Sequence, residues 1–422
     1  MRPLAPLLAL ALLACPSEEE PTPAPLPRPE PSAVDVVSPE RMRDAVDLLA
    51  DDALGGRIPG SPGHAVAKDW VVEQLTEIGL EPLGTEGYEY RYEHDGSDLR
   101  GRWYLDEGGV VQETTATVGY DLVGLLPGSD PTRADEYIVI AAHYDHLGVT
   151  EDGDIYNGAF DDAAGVAAAL EVARALAVAP PPRSVVFLIT DDEESGLRGA
   201  RAWSTAPTVP EDDIVALLSV DPVGRGLLPD YSPIVLIGGE RSAGFEHVLR
   251  EAAAWSEQPV VFIQRELVRV FHSDQDAFYE ATPPVPGAWL VNPGMAFYHQ
   301  TTDTAETIDY RVLQRTARWT AEAAFALASL EERFAWDGPQ EIGTPAMIGA
   351  QRLIGGVLDS TELTSDERRT AEGYYWSLQG AIEAEDPDEL GDVDAFIGGA
   401  LFFLLFDLPG AHPGPVPPPF PN

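Results

Sequence analysis

The middle of the chain alternates short runs of β-branched and other apolar residues with longer segments rich in alanine and leucine. The short runs predict central strands at 137–142, 185–190, 214–220 and 287–291, and the longer segments predict helices at 163–176, 245–255 and 310–330. Strands that are joined by crossover helices are typical of a mainly parallel sheet. The pattern therefore predicts an α/β fold with a central mixed, mainly parallel sheet flanked by helices.

The flanking parts of the chain show helical spacing of apolar residues. We predict a helix around 42–53 and a second at 64–78, with Gly79 as its C-cap, and two later helices at 346–358 and 365–383. An apolar stretch at 396–405 has about half of the ~20 residues that a membrane-spanning helix needs, which favours a buried helix.

The first residues have the order of a bacterial lipoprotein signal. Arg2 precedes an apolar run at 4–14, and the run ends in Leu12-Leu13-Ala14 directly before Cys15. The alternative is an ordinary signal peptide with a coincidental cysteine. If Cys15 is lipidated, the mature chain is exported and anchored to the bacterial cell envelope, in the periplasm or at the cell surface. Because Cys15 is the single cysteine, intramolecular disulfides and cysteine zinc sites are excluded.

Composition divides the chain into five predicted segments. They are a signal peptide at 1–14, a Pro/Glu-rich linker at 15–33, a main domain at 34–334, a helical C-terminal extension at 335–408 and a Pro-rich tail at 409–422. We expect the linker to be an extended spacer without a core, because proline is frequent there.

The charge of the chain excludes one large class of partners. There are 26 lysine and arginine residues against 71 aspartate and glutamate residues, which gives a formal net charge of −45. Binding to nucleic acids or to anionic membrane surfaces needs clustered basic residues, whereas Lys68 is the only lysine. We therefore expect no nucleic-acid partner, and contact with a membrane only through a lipidated Cys15.

Polar residues that can bind metals follow the predicted strands. In an open α/β sheet, side chains just beyond the carboxyl ends of the strands can converge on one site. The candidates are His143-Tyr144-Asp145-His146, Asp161-Asp162, Asp191-Asp192-Glu193-Glu194, Asp221 and Tyr298-His299.

The residue types and their spacing suggest hydrolytic metal chemistry. Asp145 can accept the second ring N–H of His143, and of the tandem acids Glu193 and Glu194 one can bind a metal while the other acts as a base. Imidazole and carboxylate ligands without thiolate favour zinc, manganese or cobalt. Taken singly, an acidic pair is more often a solvated loop, His299 a structural histidine and Asp161-Asp162 a helix N-cap. Their joint order favours a metal site.

Five ordered blocks between about residues 49 and 330 resemble the co-catalytic zinc aminopeptidase family. That family includes the secreted bacterial leucyl aminopeptidases, with glutamate carboxypeptidase and glutaminyl cyclase as relatives. The blocks are His143-Tyr144-Asp145, the segment 158–165 (GAFDDAAG), the segment 193–199 (EESGLRG), Asp221 and the segment 298–304 (YHQTTDT). The resemblance implies that 34–334 is a zinc peptidase domain.

The resemblance also implies a role for each residue. Asp161 would bridge two zinc ions, of which one is completed by His143 and Asp221 and the other by Glu194 and His299. Glu193 would be the general base that deprotonates the bridging water, Tyr298 a donor to the oxyanion, Asp145 the residue that orients His143, and Asp303 a support of the His299 loop. The family further implies a cis peptide bond between Asp161 and Asp162.

The implied activity is that of an aminopeptidase acting on peptides with a free N-terminus outside the cell. Departures from the family pattern are Phe160, Gln275, Pro222 and Gln300, none of them among the five ligands. Two alternatives stay open. One is a carboxypeptidase, for which Arg57, Arg198 or Arg225 would bind the substrate carboxylate, and the other is a zinc-binding lipoprotein without enzymatic activity.

Overall fold

A computed structural model describes residues 25–106, 108–268, 271–384, 390–404 and 408. The predicted signal peptide, Cys15, most of the predicted linker and the Pro-rich tail lie outside the described residues. Their assignments stay predictions.

The described part of the chain is built around a nine-stranded mixed sheet. Its strands lie in the order β1-β5-β7-β6-β8-β11-β9-β10, with β2 also pairing with β5, and β3 and β4 form a separate hairpin sheet. The strands are β1 (Glu81–Pro82), β2 (Glu89–Glu93), β3 (Trp103–Leu105), β4 (Val111–Glu113), β5 (Val118–Leu126), β6 (Tyr137–His143), β7 (Ser184–Thr190), β8 (Ile214–Val220), β9 (Ile234–Ile237), β10 (Val260–Ile263) and β11 (Gly287–Val291).

Helices cover both faces of this sheet and continue beyond it. They are α1 (Pro31–Val34), α2 (Pro39–Leu49), α3 (Pro62–Ile78), α4 (Ala164–Val178), α5 (Arg198–Thr205), α6 (Ala243–Ala252), α7 (Gln275–Tyr279), α8 (Tyr310–Ser329), α9 (Thr344–Asp359), α10 (Ser365–Ala384) and α11 (Val393–Phe402). Helix α3 ends at Gly79, which has the left-handed conformation of the predicted C-cap. None of the described helices is long and apolar enough to cross a bilayer.

The predicted fold class is confirmed, and the central strands lie where the apolar runs place them. Strands β6, β7, β8 and β11 are mutually parallel neighbours, and nearly all of their residues are buried. The sequence pattern did not predict the flanking strands, several of which are antiparallel, as in the pairs β5 with β7 and β9 with β11. Because the four central strands run in the same direction, their carboxyl ends meet at one edge of the sheet.

The end of the predicted linker differs from expectation. Residues 25–33 are not a free spacer, because Arg28 forms an ion pair with Glu322 of α8 and lies over the ring of Trp255. Ala33 and Val34 of α1 are buried against the same part of the domain. The apolar side chains at the end of this segment therefore belong to the core of the peptidase-like domain.

The C-terminal extension packs against the sheet at β10. Helix α9 lies so close to this strand that a Cβ atom on Gly349 would be 2.1 Å from the carbonyl oxygen of Phe262. Helix α10 packs on α9, and α11 contacts α9 through a face on which Ile397, Ala400 and Leu401 are buried. The apolar stretch that predicts a buried helix thus forms one within the described residues.

Candidate functional site

The loops after the central strands bring all five predicted ligands together. A first group joins His143, at the end of β6, to Asp161 and to Asp221, which directly follows β8. The Nε2 atom of His143 lies 3.2 Å from Oδ1 of Asp161 and 3.4 Å from Oδ1 of Asp221. All three residues are buried, and their ligand atoms converge as they would around one metal ion.

A second group shares Asp161 with the first. The Nε2 atom of His299 lies 3.1 Å from Oδ2 of Asp161 and 3.0 Å from Oε2 of Glu194. The two oxygens of Asp161 therefore face different groups, Oδ1 towards His143 and Oδ2 towards His299. This is the arrangement that a carboxylate needs in order to bridge two cations.

Several polar atoms of these groups lack a protein partner, although they are buried. Oδ2 of Asp161, Oδ1 of Asp221, Oε1 of Glu194 and Nε2 of His299 have no hydrogen-bond partner among the described residues. A buried polar atom without a partner is costly, so an additional group is expected at such a position. The donor set of imidazole nitrogens and carboxylate oxygens, with no thiolate, fits zinc.

The electrostatics of the site also favour a bound cation. Burial would lower the pKa of His299, but the carboxylates of Glu194 and Asp161 outweigh burial and raise this pKa to about 10. The pKa of His143 is likewise raised well above its usual range, because Asp221, Asp145 and Asp161 outweigh the effect of burial. The carboxylates thus create a strongly negative potential, which a divalent cation would neutralise.

Asp145 links the end of β6 to the loop after β7. The Nδ1 atom of His143 lies 3.2 Å from the carbonyl oxygen of Asp145 and 3.4 Å from its Oδ1 atom. The same carboxylate accepts hydrogen bonds from the backbone N–H groups of Glu193 and Glu194. It therefore positions one ligand together with the backbone of the predicted base.

The segment that carries Asp161 is shaped by its neighbours. The peptide bond between Asp161 and Asp162 is cis, as the resemblance implies. The carboxylate of Asp162 accepts hydrogen bonds from the N–H groups of Gly165 and His143. Only glycine fits at 165, where a Cβ atom would lie 2.1 Å from Oδ1 of Asp162 and 2.2 Å from the oxygen of Val220. Asp162 is therefore a capping residue that also holds the end of β6.

Asp303, which lies on the His299 loop, also holds the segment that carries Asp161. Its carboxylate accepts hydrogen bonds from the N–H groups of Phe160 and Asp161, so it holds the backbone of the bridging aspartate directly. Burial raises the pKa of Asp303 to about 6. Since Asp303 follows His299 by four positions, the contact joins the loop of one ligand to the segment of another.

Glu193 and Tyr298 flank the two ligand groups. Burial, together with the negative charges of Asp221 and Glu194, raises the pKa of Glu193 well above its usual range. Tyr298 stacks on His299 with ring centroids 3.8 Å apart, and burial raises its pKa as well. Without a bound metal, burial therefore favours the protonated form of both side chains.

The three arginines considered for substrate binding have different surroundings. Arg57 is fully buried and donates to four backbone carbonyl groups, so its role is structural. Arg198 is paired with Asp98 and Asp95 on the surface. Arg225 lies over the ring of Phe297 at 3.7 Å and near Phe160, and its Nη1 atom has no partner.

The departures from the family pattern surround the ligands without replacing them. Gln275 is fully buried, and neither polar atom of its side-chain amide has a hydrogen-bond partner. Nearby, Ser273 donates a 2.6 Å hydrogen bond to Oδ2 of Asp221. The carbonyl oxygen of Pro222 accepts from the N–H of Asn292, and Gln300 is exposed.

Two residues of this site were not assigned by the sequence analysis. Ser273 orients Asp221 from a distant loop, a contact that no local pattern could reveal. His146 lies with Asp161 and Glu194 in a second possible metal-binding group. Its position on the loop that also carries His143 was the available signal, but it is not a position with an implied role.

Comparisons with known proteins agree with this geometry. Residues 121–324 match the peptidase family M28. A probable zinc metalloprotease of Pyricularia oryzae is 25% identical over 71% of this chain and 66% of its own length. The aminopeptidase from Aneurinibacillus sp. strain AM-1 superposes with a TM-score of 0.53 and 17% identity, over 74% of this chain and 99% of that one. A zinc aminopeptidase from Bacillus subtilis gives a TM-score of 0.52 and 15% identity, over 72% and 98%.

The share of each relative that the chain covers shows that the fold is common to them, whereas the activity of the whole relatives is not shown for this chain. The two solved structures share the fold of this chain across almost their whole length. The chain spans just under two thirds of the Pyricularia oryzae relative, and 25% and 23% of two further probable zinc metalloproteases, from Pyrenophora tritici-repentis and Pyrenophora teres f. teres.

Proposed function

The chain carries a domain of peptidase family M28, and from this premise we propose that it is a di-zinc aminopeptidase. It would remove N-terminal residues from peptides in the periplasm or outside the cell. The observation that carries the proposal is the position of Asp161, whose two carboxylate oxygens face two separate groups of potential ligands. His143 and Asp221 would hold one zinc ion with Asp161, and Glu194 and His299 would hold the other.

Bound zinc supplies Lewis acidity, which polarises a peptide carbonyl group and makes water a better nucleophile at neutral pH. Three ligating carboxylates against two divalent cations leave a net positive centre, which suits the negative charge that develops on the substrate oxygen. Zinc is supported by the donor set and by the names of the relatives. Manganese or cobalt in the same positions is a variant of this proposal.

Glu193 is the general base in this proposal. Its backbone is fixed by the carboxylate of Asp145, which places the side chain next to the ligand Glu194, and a carboxylate held there can accept a proton from water. It accepts a proton from the attacking water and delivers it to the amine that leaves. Tyr298, protonated at neutral pH and stacked on His299, is positioned as a hydrogen-bond donor to the substrate oxygen.

The charge around the ligands favours a substrate with a free N-terminus. Besides the ligands, the buried carboxylic acids Asp145, Asp274 and Asp303 lie in the surrounding shell. A substrate ammonium group would be attracted to such surroundings, whereas a substrate carboxylate would be repelled. Arg57 and Arg198 are already engaged by the protein, so they do not offset this preference.

One observation favours a second candidate function. Nη1 of Arg225 is buried and has no hydrogen-bond partner in the portion that the structure describes, and the side chain lies over Phe297 next to Tyr298. Because a guanidinium binds carboxylates in a fixed geometry, Arg225 is the residue that a carboxypeptidase-type member would use. The remaining alternative is a zinc-binding lipoprotein without turnover. It differs from the aminopeptidase and the carboxypeptidase in that it hydrolyses neither class of peptide substrate.

The proposal is tested by hydrolysis of amino-acid anilides by the purified protein. We expect cleavage of free-amine substrates, no cleavage of the same substrates with an acetylated N-terminus, and loss of activity with a strong zinc chelator. Readdition of zinc should restore the rate.

Matched substrates separate the alternatives. Cleavage of N-acylated dipeptides at their free C-terminus, with no cleavage of anilides, would replace the aminopeptidase by the carboxypeptidase. Two bound zinc ions without hydrolysis of either class would leave the binding lipoprotein as the correct interpretation.

A further inference from the structure

His146 is a buried histidine that the proposed reaction does not use, yet it faces the second ligand group. Its Nδ1 atom lies 2.7 Å from Oε1 of Glu194 and 3.9 Å from Oδ2 of Asp161. We propose that His146 is an additional ligand of the metal held by Asp161, Glu194 and His299, and that it binds through Nδ1. This inference rests on the proposed function, because it concerns the same metal centre.

The contact between His146 and Glu194 is not an ordinary hydrogen bond. Although Nδ1 and Oε1 are only 2.7 Å apart, neither atom has a hydrogen-bond partner in the described part of the chain, because an N–H on this nitrogen would not point at the oxygen. Both atoms are buried. Lone pairs that lie close together but do not point at each other are expected when they are directed at a shared cation.

Other ligand atoms near Nδ1 of His146 and Oε1 of Glu194 are also buried without a hydrogen-bond partner among the described residues. These atoms are Oδ2 of Asp161 and Nε2 of His299. The rings of His146 and His299 face each other edge to face, with centroids 6.0 Å apart. The ligand atoms of His146, Asp161 and Glu194 lie within 4.8 Å of one another, as around one ion, and His299 contacts the same two carboxylates.

The fold holds the His146 ring in this orientation. The residue has no solvent exposure, and its backbone N–H donates to the carbonyl oxygen of Arg57. The ring also packs against Gly158. A Cβ atom at this position would lie only 2.5 Å from Cδ2 of the ring, so the imidazole fits because residue 158 has no side chain. The ring cannot turn away from Glu194 without displacing the segment that carries Asp161.

The two metal positions would then differ in their ligands. The position at His143 has one imidazole, whereas the position at His146 and His299 has two. We expect the second position to hold zinc more tightly than three ligands would allow. We also expect its cobalt form to show the spectrum of a centre with an additional nitrogen ligand.

The first test uses the unmodified protein. The chain has eight histidines, and nitrogen NMR of the labelled imidazoles reports which ring nitrogen binds a metal. On zinc loading we expect one imidazole bound through Nδ1, assigned to His146, and two bound through Nε2, assigned to His143 and His299. A zinc-loaded protein with two ions in which His146 keeps an unbound Nδ1 would overturn the inference.

The second test compares two variants of His146 with a surface control. His146→Ala removes the ligand, whereas His146→Asn places an amide N–H near the position of Nδ1 and preserves any hydrogen bond to Glu194. We expect both variants to keep one tightly bound zinc ion and to bind the second ion about 100-fold more weakly in chelator competition. Losing a residue that only supports a ligand costs about 10- to 100-fold in metal affinity, and losing a ligand itself should cost at least as much. His247→Ala, which changes an exposed histidine, should bind both ions like the wild type.

The outcomes separate the inference from the proposed function. Full second-site affinity in His146→Ala, or its rescue in His146→Asn alone, would show that His146 is not a ligand. Two zinc ions in the wild type without peptidase activity would overturn the proposed function but leave the ligand test valid. A wild-type chain that binds fewer than two ions would overturn both the two-metal centre and the inference.

Discussion

Glu193 and Glu194 are adjacent carboxylates that the fold directs to different tasks. Both backbone N–H groups are held by Asp145, yet the Glu194 side chain lies between His299 and His146, whereas Glu193 makes no contact with these histidines. The pKa values diverge accordingly. Burial would raise the pKa of Glu194, but nearby histidines lower it to about 2, while that of Glu193 is raised by burial and nearby carboxylates. One carboxylate is suited to ligation and the other to proton transfer.

This division predicts the effect of Glu193→Gln. The amide has the same shape but cannot accept a proton, so we expect kcat to fall by about 10³-fold, within the usual range for a general base. Zinc content should stay at the wild-type value, because Glu193 is not among the proposed ligands. The measurement is kcat together with metal content on the same preparation.

Asp161→Asn is the matched control. It also replaces a carboxylate by an amide, but at the residue that both proposed zinc ions share. We expect it to lose metal as well as activity. Near-normal turnover in Glu193→Gln would show that another group accepts the proton.

At the scale of elements, a cleft of about 660 Å³ lies between α6, β10 and α9, away from the ligand groups. Glu240 lines this cleft, and its Oε1 atom accepts a hydrogen bond from the backbone N–H of Arg265. Burial raises the pKa of Glu240 from 4.5 to about 7. The folded protein thus binds a proton at Glu240 more strongly than the unfolded chain does, so Glu240 destabilises the fold increasingly as the pH rises from about 4.5 to 7.

We therefore predict that Glu240→Gln becomes more stable than the wild type as the pH rises. The amide retains an acceptor for Arg265 and carries no charge, and the difference in the free energy of unfolding should reach about 2 kcal/mol above pH 7. Urea unfolding at pH 5 and at pH 8 measures it. The control is Glu251→Gln, which also removes one negative charge, but from an exposed side chain on α6. An equal difference at both pH values for Glu240→Gln would contradict the prediction.

Some of the strands and helices could be predicted from the sequence, and others could not. The strands β6, β7, β8 and β11 were predictable because each is a buried apolar run. Four of the five ligands followed because each lies at or beyond the end of one of these strands, whereas Asp161 lies just before α4. The short strands β9 and β10, with four residues each, carry too little periodic signal to stand apart from loops. Ser273 escaped because its contact with Asp221 arises only when distant segments pack together, and His146 was among the candidates but received no role.

At the scale of the whole molecule, the position of Cys15 is the basis for proposing an exported, lipid-anchored protein, and the net charge of −45 bears on how such a protein would be held. A strong negative charge keeps a protein dispersed and away from anionic lipid headgroups. Attachment to an envelope would then depend on acyl chains and not on the protein surface.

We accordingly predict that Cys15→Ser releases the protein from membranes. In a host that processes lipoproteins, the wild type should incorporate labelled palmitate and sediment with the membrane fraction. The variant should do neither, and it should keep its peptidase activity, because residue 15 precedes the folded domain. Equal sedimentation of both proteins, with no label in either, would favour an ordinary signal peptide.

The close approach of α9 to β10 also affects how copies of this protein meet. Among the described strands, β10 ends the sheet on its side, and an uncovered strand there would offer free backbone groups to a strand from a second molecule. At Gly349 the backbone of α9 instead lies directly against the Phe262 carbonyl. The C-terminal extension thereby hinders intermolecular strand addition at this edge, which would matter most if the protein is held at high local concentration by the proposed lipid anchor.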